Sequence, residues 1–138
     1  VTAGRIGIDQ HSIERLLFGV TRAKGPELAD LYAEDTYVTH PFHPTAPPLK
    51  GREELRGHFA NSLDFSIRAY DLVTYEGTDP DLIVAESTYA GERERPFAMS
   101  HIFVTRVRDG LIVESRDYGD HLAFAAATGT LAALLASV

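Results

Sequence analysis

Cysteine and tryptophan are absent, methionine occurs once, and basic residues are outnumbered by acidic ones, 13 against 20. Without cysteine there is no disulfide, no thiolate-ligated zinc and no thiol nucleophile, and a reducing, cytoplasmic setting is the simplest expectation. The formal net charge of −7 argues against nucleic acid or an anionic membrane surface as partner, because clustered lysine and arginine hold both. No apolar run is long enough to span a bilayer. The most apolar piece, Leu122 to Val138, is interrupted by Thr128-Gly129-Thr130 and reads as a packing tail. Val1 to Gly7 shows neither the basic nor the apolar region of a leader. Gly-rich phosphate loops, a serine-nucleophile motif and a dinucleotide fingerprint are missing too.

The 138 residues suit one domain over 1–138, with a core at about 9–129. Its front third reads as helical. Asp9 or Ser12 can cap a helix whose Ile13, Leu16, Leu17 and Val20 recur at helical spacing, ending near Lys24-Gly25. Pro26 opens a second, short helix with Leu28, Leu31 and Tyr32 inward, broken at Asp35. Thr36 to His40 is a short strand, His43 to Pro48 an irregular proline-rich loop, and Gly51 to Ala60 a helix with Leu55 and Phe59 on one face. Four strands follow: Phe65–Glu76, Leu82–Tyr89, Phe97–Val107 and Leu111–Tyr118. Helices followed by an antiparallel meander predict an α+β fold.

The last hairpin carries the chemistry. Phe97, Met99, His101, Phe103 and Val107 share one face of their strand, opposite Arg106 and Arg108. In the next strand Leu111, Val113, Ser115 and Asp117 share a face, opposite Ile112, Glu114, Arg116 and Tyr118, so Asp117 turns inward. A three-residue turn, Arg108-Asp109-Gly110 with Gly110 left-handed, pairs Val107 with Leu111 and His101 with Asp117. A two-residue turn mixes polar and apolar faces and is rejected on that ground. Opposed residues have Cβ atoms about 4.5–5.5 Å apart, within reach of an imidazole–carboxylate hydrogen bond. In an apolar cavity desolvation raises the carboxyl pKa and a neighbouring imidazolium lowers it, so a proton can move near neutral pH. The competing reading is a buried pair that only ties two strands together.

These residues also resemble a known family. Thr105 to Asp120 resembles the last hairpin of SnoaL-like polyketide cyclases, in the nuclear transport factor 2-like superfamily that also holds ketosteroid isomerase. Leu31 to Pro41 resembles the helix-to-strand junction of ketosteroid isomerases, while Lys50 to His58 and Gly77 to Asp81 are most similar to the phenazine-biosynthesis A/B proteins. The resemblance spans about Leu16 to Gly129. It implies a cone-shaped α+β barrel, with N-terminal helices packed in the concavity of a curved antiparallel sheet. Asp117 matches the acid/base residue of the cyclases, where the phenazine branch carries glutamate. The cyclases' partner histidine falls on Phe103, and His101 stands two residues earlier on the same face. His40 falls where ketosteroid isomerases keep a catalytic aspartate, at the pocket lip. The oxyanion-hole tyrosine of those isomerases would fall near Leu16 and is absent.

The resemblance implies a cofactor-free enzyme of secondary metabolism that abstracts a proton beside a carbonyl in a hydrophobic small molecule, leading to cyclisation, isomerisation or dehydration, with epoxide opening as a variant. Asp117, His101 and His40 are the candidate catalytic residues. Phe103, Tyr89, Phe59, Phe97 and Tyr32 are the candidate pocket residues, with Ser87 and Ile83 sharing the inward face of Tyr89. Neither a metal nor a cofactor is expected: His40 and His43 lack a further ligand, and His43 is expected at the surface. Glu92 to Arg95 is a solvated charged turn. A homodimer through the outer sheet face, using Ile102, Val104 and Ile112, is implied by the resemblance. The rival class is a non-catalytic module holding a ligand or partner in the same cone.

Overall fold

The computed structural model describes residues 14–15, 25–62, 67–92 and 95–138. Of the first expected helix only Glu14, Arg15 and the terminal Gly25 fall among these; Glu14 and Arg15 are helical. Arg93 and Glu94 of the charged turn also lie outside the described residues.

A 3₁₀ helix, Gly25–Leu31, buries Leu28, Ala29 and Leu31. Strand β1 then runs Tyr32–Thr39. The chain is therefore extended before Asp35, where the sequence suggested a helix end, because Tyr32 already pairs with the last strand. After the proline-rich loop come β2 (Leu49–Lys50) and α1 (Arg52–Ser62). Leu55 of α1 is buried at 1% exposure. Arginines fasten the helix: Arg52 Nε donates to the Tyr32 carbonyl at 2.7 Å, and Arg56 donates to the Pro26 carbonyl at 3.1 Å and to Asp30 at 2.9 Å.

Strands β3 (Ile67–Glu76), β4 (Leu82–Glu92), β5 (Pro96–Arg108) and β6 (Leu111–Gly119) complete the sheet. Among the described residues six strands form one curved, open sheet in the order β2-β1-β6-β5-β4-β3. The α+β cone is confirmed, with one addition: β1 lies parallel to β6 inside an otherwise antiparallel sheet. That pair matches Val38 with Ser115 and Thr39 with Arg116, so the next residue of β1's path, His40, arrives beside Asp117. The inner faces alternate cleanly, with Ile83, Ala85, Ser87 and Tyr89 buried on β4 and Phe103, Thr105 and Val107 on β5.

The β5–β6 register differs from the sequence reading. Asp109 and Gly110 both adopt positive φ, 53° and 77°, which is the two-residue turn whose twist suits a hairpin. Arg108 pairs with Leu111 and Val107 with Ile112, but Arg106 pairs with Glu114. Val113 is thus an extra residue, a β-bulge that resets the alternation. The bulge removes the mixing of faces that spoke against this turn. Ile112, not Leu111 or Val113, enters the core at 0% exposure, while Arg106 stays outside with Asp79 at 2.9 Å and Glu114 at 3.6 Å. Downstream, Phe103 faces Asp117 and His101 faces Gly119. The expected pairing of His101 with Asp117 is corrected accordingly, and Ile112 leaves the expected outer-face set.

The apolar tail forms two helices, α2 (His121–Thr128) and α3 (Leu131–Ala136). Asp120 caps α2 by accepting from the Ala123 N–H at 2.9 Å, and left-handed Gly129, φ 74°, ends it. Among the described residues no helix is long and apolar enough to cross a membrane.

Candidate active site

A cavity of about 520 Å³ opens between the end of β1, the proline-rich loop, α1, the middle of β5 and the helices α2 and α3. Its wall carries His40, His43, His58, His101 and His121, five of the six histidines, among apolar groups such as Met99, Phe124 and Leu134.

Asp117 sits behind His40, 8% exposed. Its Oδ1 accepts a short hydrogen bond from the Ser115 hydroxyl, which lies 3.2 Å from the Thr105 hydroxyl across the hairpin. His40 Nε2 stands 4.0 Å from Asp117 Oδ2, near enough for charge to be felt and too far for a direct hydrogen bond. Burial pushes the Asp117 carboxyl up to about 7, with the Ser115 hydrogen bond acting in the opposite direction. Burial, then the neighbouring His58, His121 and His43, bring His40 down to about 4. His40 is thus neutral near pH 7, where Asp117 exchanges its proton. Burial and the nearby Asp117 carboxylate raise the Tyr32 and Tyr89 phenols, which stay protonated.

His101 has a different post from the one expected. Its ring stacks on Phe103, centroids 4.4 Å apart, and lies 5.2 Å from Tyr89. It also covers Gly119 so closely that a Cβ there would stand 2.9 Å from the imidazole Cε1. Neither ring nitrogen has a hydrogen-bond partner among the described residues. Burial, then His40 and His121, lower its pKa to about 4. His101 therefore faces the cavity on its own account.

The aromatic candidates stand behind this wall. Tyr32, Tyr89 and Phe103 are buried at 1%, 5% and 4% exposure. Phe59 leans on Tyr32 at 6.0 Å, and Phe97 meets Phe124 edge-on at 6.1 Å. The surface position expected for His43 is corrected. Its Nδ1 accepts from the Thr45 and Ala46 N–H groups at 3.2 and 2.9 Å, which turns the ring to 4.9 Å from His121 in the cavity wall. His58 and His121 were not singled out from the sequence. His58 follows Leu55 by one helical turn, a spacing that could have placed it, whereas His121 opens α2 with no periodic signal. Among the described residues no three His, Cys, Asp or Glu side chains are grouped to hold a metal ion.

The SnoaL-like domain family profile matches residues 13–115. No curated protein sequence gives a significant match. Among solved structures, a candidate isomerase from Bacillus subtilis has a TM-score of 0.84 at 19% identity, covering 91% of this chain and 96% of that one. A phenazine biosynthesis-related protein from Pseudomonas aeruginosa has a TM-score of 0.75 at 15% identity, covering 94% and 85%. A Mycobacterium tuberculosis protein in complex with estradiol-17beta-hemisuccinate has a TM-score of 0.65 at 19% identity, covering 83% and 95%. At such identities the likeness is one of fold. With most of its length matched by that profile, and with the helices, curved sheet and pocket just described, the chain belongs to the SnoaL-like domain family.

Proposed function

We propose that this chain is a cofactor-free acid/base enzyme that moves a proton beside a carbonyl of a hydrophobic small molecule, so that the substrate cyclises, isomerises or loses water. The observation that carries the reading is a buried carboxyl, Asp117, held near neutral proton affinity behind His40, which itself lines the cavity. A base matched to ambient pH combines the right protonation state with a useful driving force. In this scheme Asp117 takes the proton and returns it. His40, neutral, polarises the carbonyl as enolate charge develops, a preorganised donor in a dry site. His101 donates to substrate from the neighbouring strand rather than orienting Asp117. The SnoaL-like fold supports a cyclase or isomerase role; a place in secondary metabolism belongs to the proposal. So does a homodimer through the outer sheet face, supported by Ile102 at 39% exposure in an apolar groove shared with Phe42 and Tyr118.

A ligand carrier of the same fold is the second reading. It is favoured by the 4.0 Å gap between His40 and Asp117 and by the steroid ester seen in the mycobacterial structure. Exchange of the α-protons of 2-tetralone into D₂O, followed by ¹H NMR, separates the two. Wild-type protein should accelerate exchange, and Asp117→Asn should cut that acceleration by about 10²–10⁴ while 2-naphthol, shaped like the enol, still binds. Full exchange activity in Asp117→Asn, or 2-naphthol binding with no exchange above buffer in the wild type, overturns the enzyme reading.

A further inference from the structure

Charge and hydrogen bonding around the cavity mouth are unusual for a pocket that only holds an apolar ketone. The rings of His58 and His40 are 5.7 Å apart, those of His40 and His121 6.2 Å, and those of His121 and His43 4.9 Å, a continuous row contributed by α1, the end of β1, α2 and the proline-rich loop. His101 joins from β5. Both nitrogens of His101 and Nε2 of His121 are buried with no hydrogen-bond partner among the described residues. A buried polar atom left so is destabilising, and a ligand with matching groups would offset that. His43 fixes what it offers: its Nδ1 accepts two backbone N–H groups, so its proton sits on Nε2.

The surrounding charges are few. No lysine or arginine is among the residues that line the cavity, and the acids facing the row are Asp117 from β6 and Asp120 at its end. Asp120 spends Oδ1 on the α2 cap. Each imidazole disfavours charge on its neighbours: His58, His121 and His43 all act on His40, and His43 acts on His121. Such a row disfavours charge on its own members, presents N–H donors, and takes up a proton more readily once an anion offsets it.

We infer that the histidine row is the binding site for a carboxylate on the substrate, and that the ligand binds together with a proton taken from solution. The substrate is then a hydrophobic keto acid whose acid group is held at the mouth and whose carbonyl reaches towards Asp117. This inference rests on the proposed reaction for the carbonyl end only; the carboxylate site stands on its own geometry.

The test uses 2-naphthoate, ionised throughout the range used, against its neutral analogue 2-naphthamide. Calorimetry at pH 6 and pH 8 in two buffers of different ionisation enthalpy counts the protons. Naphthoate should bind with net proton uptake and lose affinity as pH rises, by up to roughly tenfold per pH unit if one full proton is linked. Naphthamide should do neither. His121→Gln, and separately His43→Asn, whose amide oxygen can replace Nδ1 as acceptor in the loop, should reduce proton uptake and the preference for naphthoate over naphthamide. Equal binding of the two probes at both pH values, or naphthoate binding without proton uptake, overturns the inference. Because 2-tetralone and 2-naphthol carry no carboxylate, Asp117-dependent exchange alongside a failed naphthoate test removes the acid group alone, and the reverse result removes the reaction alone.

Discussion

The floor and the mouth of this pocket are built on opposite principles. On the floor, behind the residues that line the cavity, Thr105, Ser115 and Asp117 form a chain of hydroxyls and carboxyl across a tight hairpin, with Phe103 and Tyr32 also buried. At the mouth, imidazoles crowd one another and several buried nitrogens have no protein partner among the described residues. The floor is finished when the chain folds, and its packing sets the proton affinity of one carboxyl. The mouth is left incomplete, so that stability is forgone where a ligand can restore it.

The largest effect that sharpens this contrast is on stability at the floor. A carboxyl whose folded-state pKa lies above its unfolded value keeps its proton longer when folded, so its ionisation withdraws stability as pH rises from about 4 to beyond 7. Asp117→Asn, which can still accept from Ser115, should therefore stabilise the protein at pH 9, on the order of 2 kcal/mol, and bring no gain below pH 4. Urea melts at the two pH values check this, and a variant less stable at pH 9 breaks the idea of a carboxyl held against its preference. At the mouth, Gly119→Ala should push the imidazole of His101 off its seat and cost about 1 kcal/mol, at the low end for overpacking. The same change in a His101→Ala background should cost nothing, and equal costs in both backgrounds would mean that the close approach to His101 is irrelevant. The smallest effect is a shift in profile. Ser115→Ala removes the hydrogen bond that holds the Asp117 pKa down, so the basic form should appear at higher pH and the pH dependence of 2-tetralone exchange should move upward.

How much of this the sequence reveals depends on how the residues mark their faces. In β5 the arginines at 106 and 108 label the outer side, and the inward set can be read directly. In β6, Leu111-Ile112-Val113 is an unbroken apolar run, so neither phase is excluded and the bulge leaves no trace. The inward phase of Asp117 follows from Glu114 and Arg116 alone, but its partner across the hairpin does not, because one extra residue shifts the register by a full step. His40 is legible as a candidate through the resemblance of the stretch Leu31 to Pro41 to ketosteroid isomerases; its approach to Asp117 depends on a parallel pairing between the front and back of the chain, which local pattern does not encode. His43 is hidden for another reason. A proline-rich loop has no period, and its ring is turned inward by two backbone N–H groups that no side-chain pattern announces.

That parallel pairing also fixes when His40 and Asp117 can come together. His40 ends the path of β1 and Asp117 belongs to β6, with the whole meander between them. Closing so long a loop forfeits chain entropy before any reward arrives, so contacts of this kind form late and slowly. β1 has β2 on one side, and its other edge has no partner in the sheet until β6 is in place. In the proposed reaction, His40 and Asp117 meet only once β1 and β6 have paired, and a chain stalled short of that has neither a sealed edge nor the two groups together.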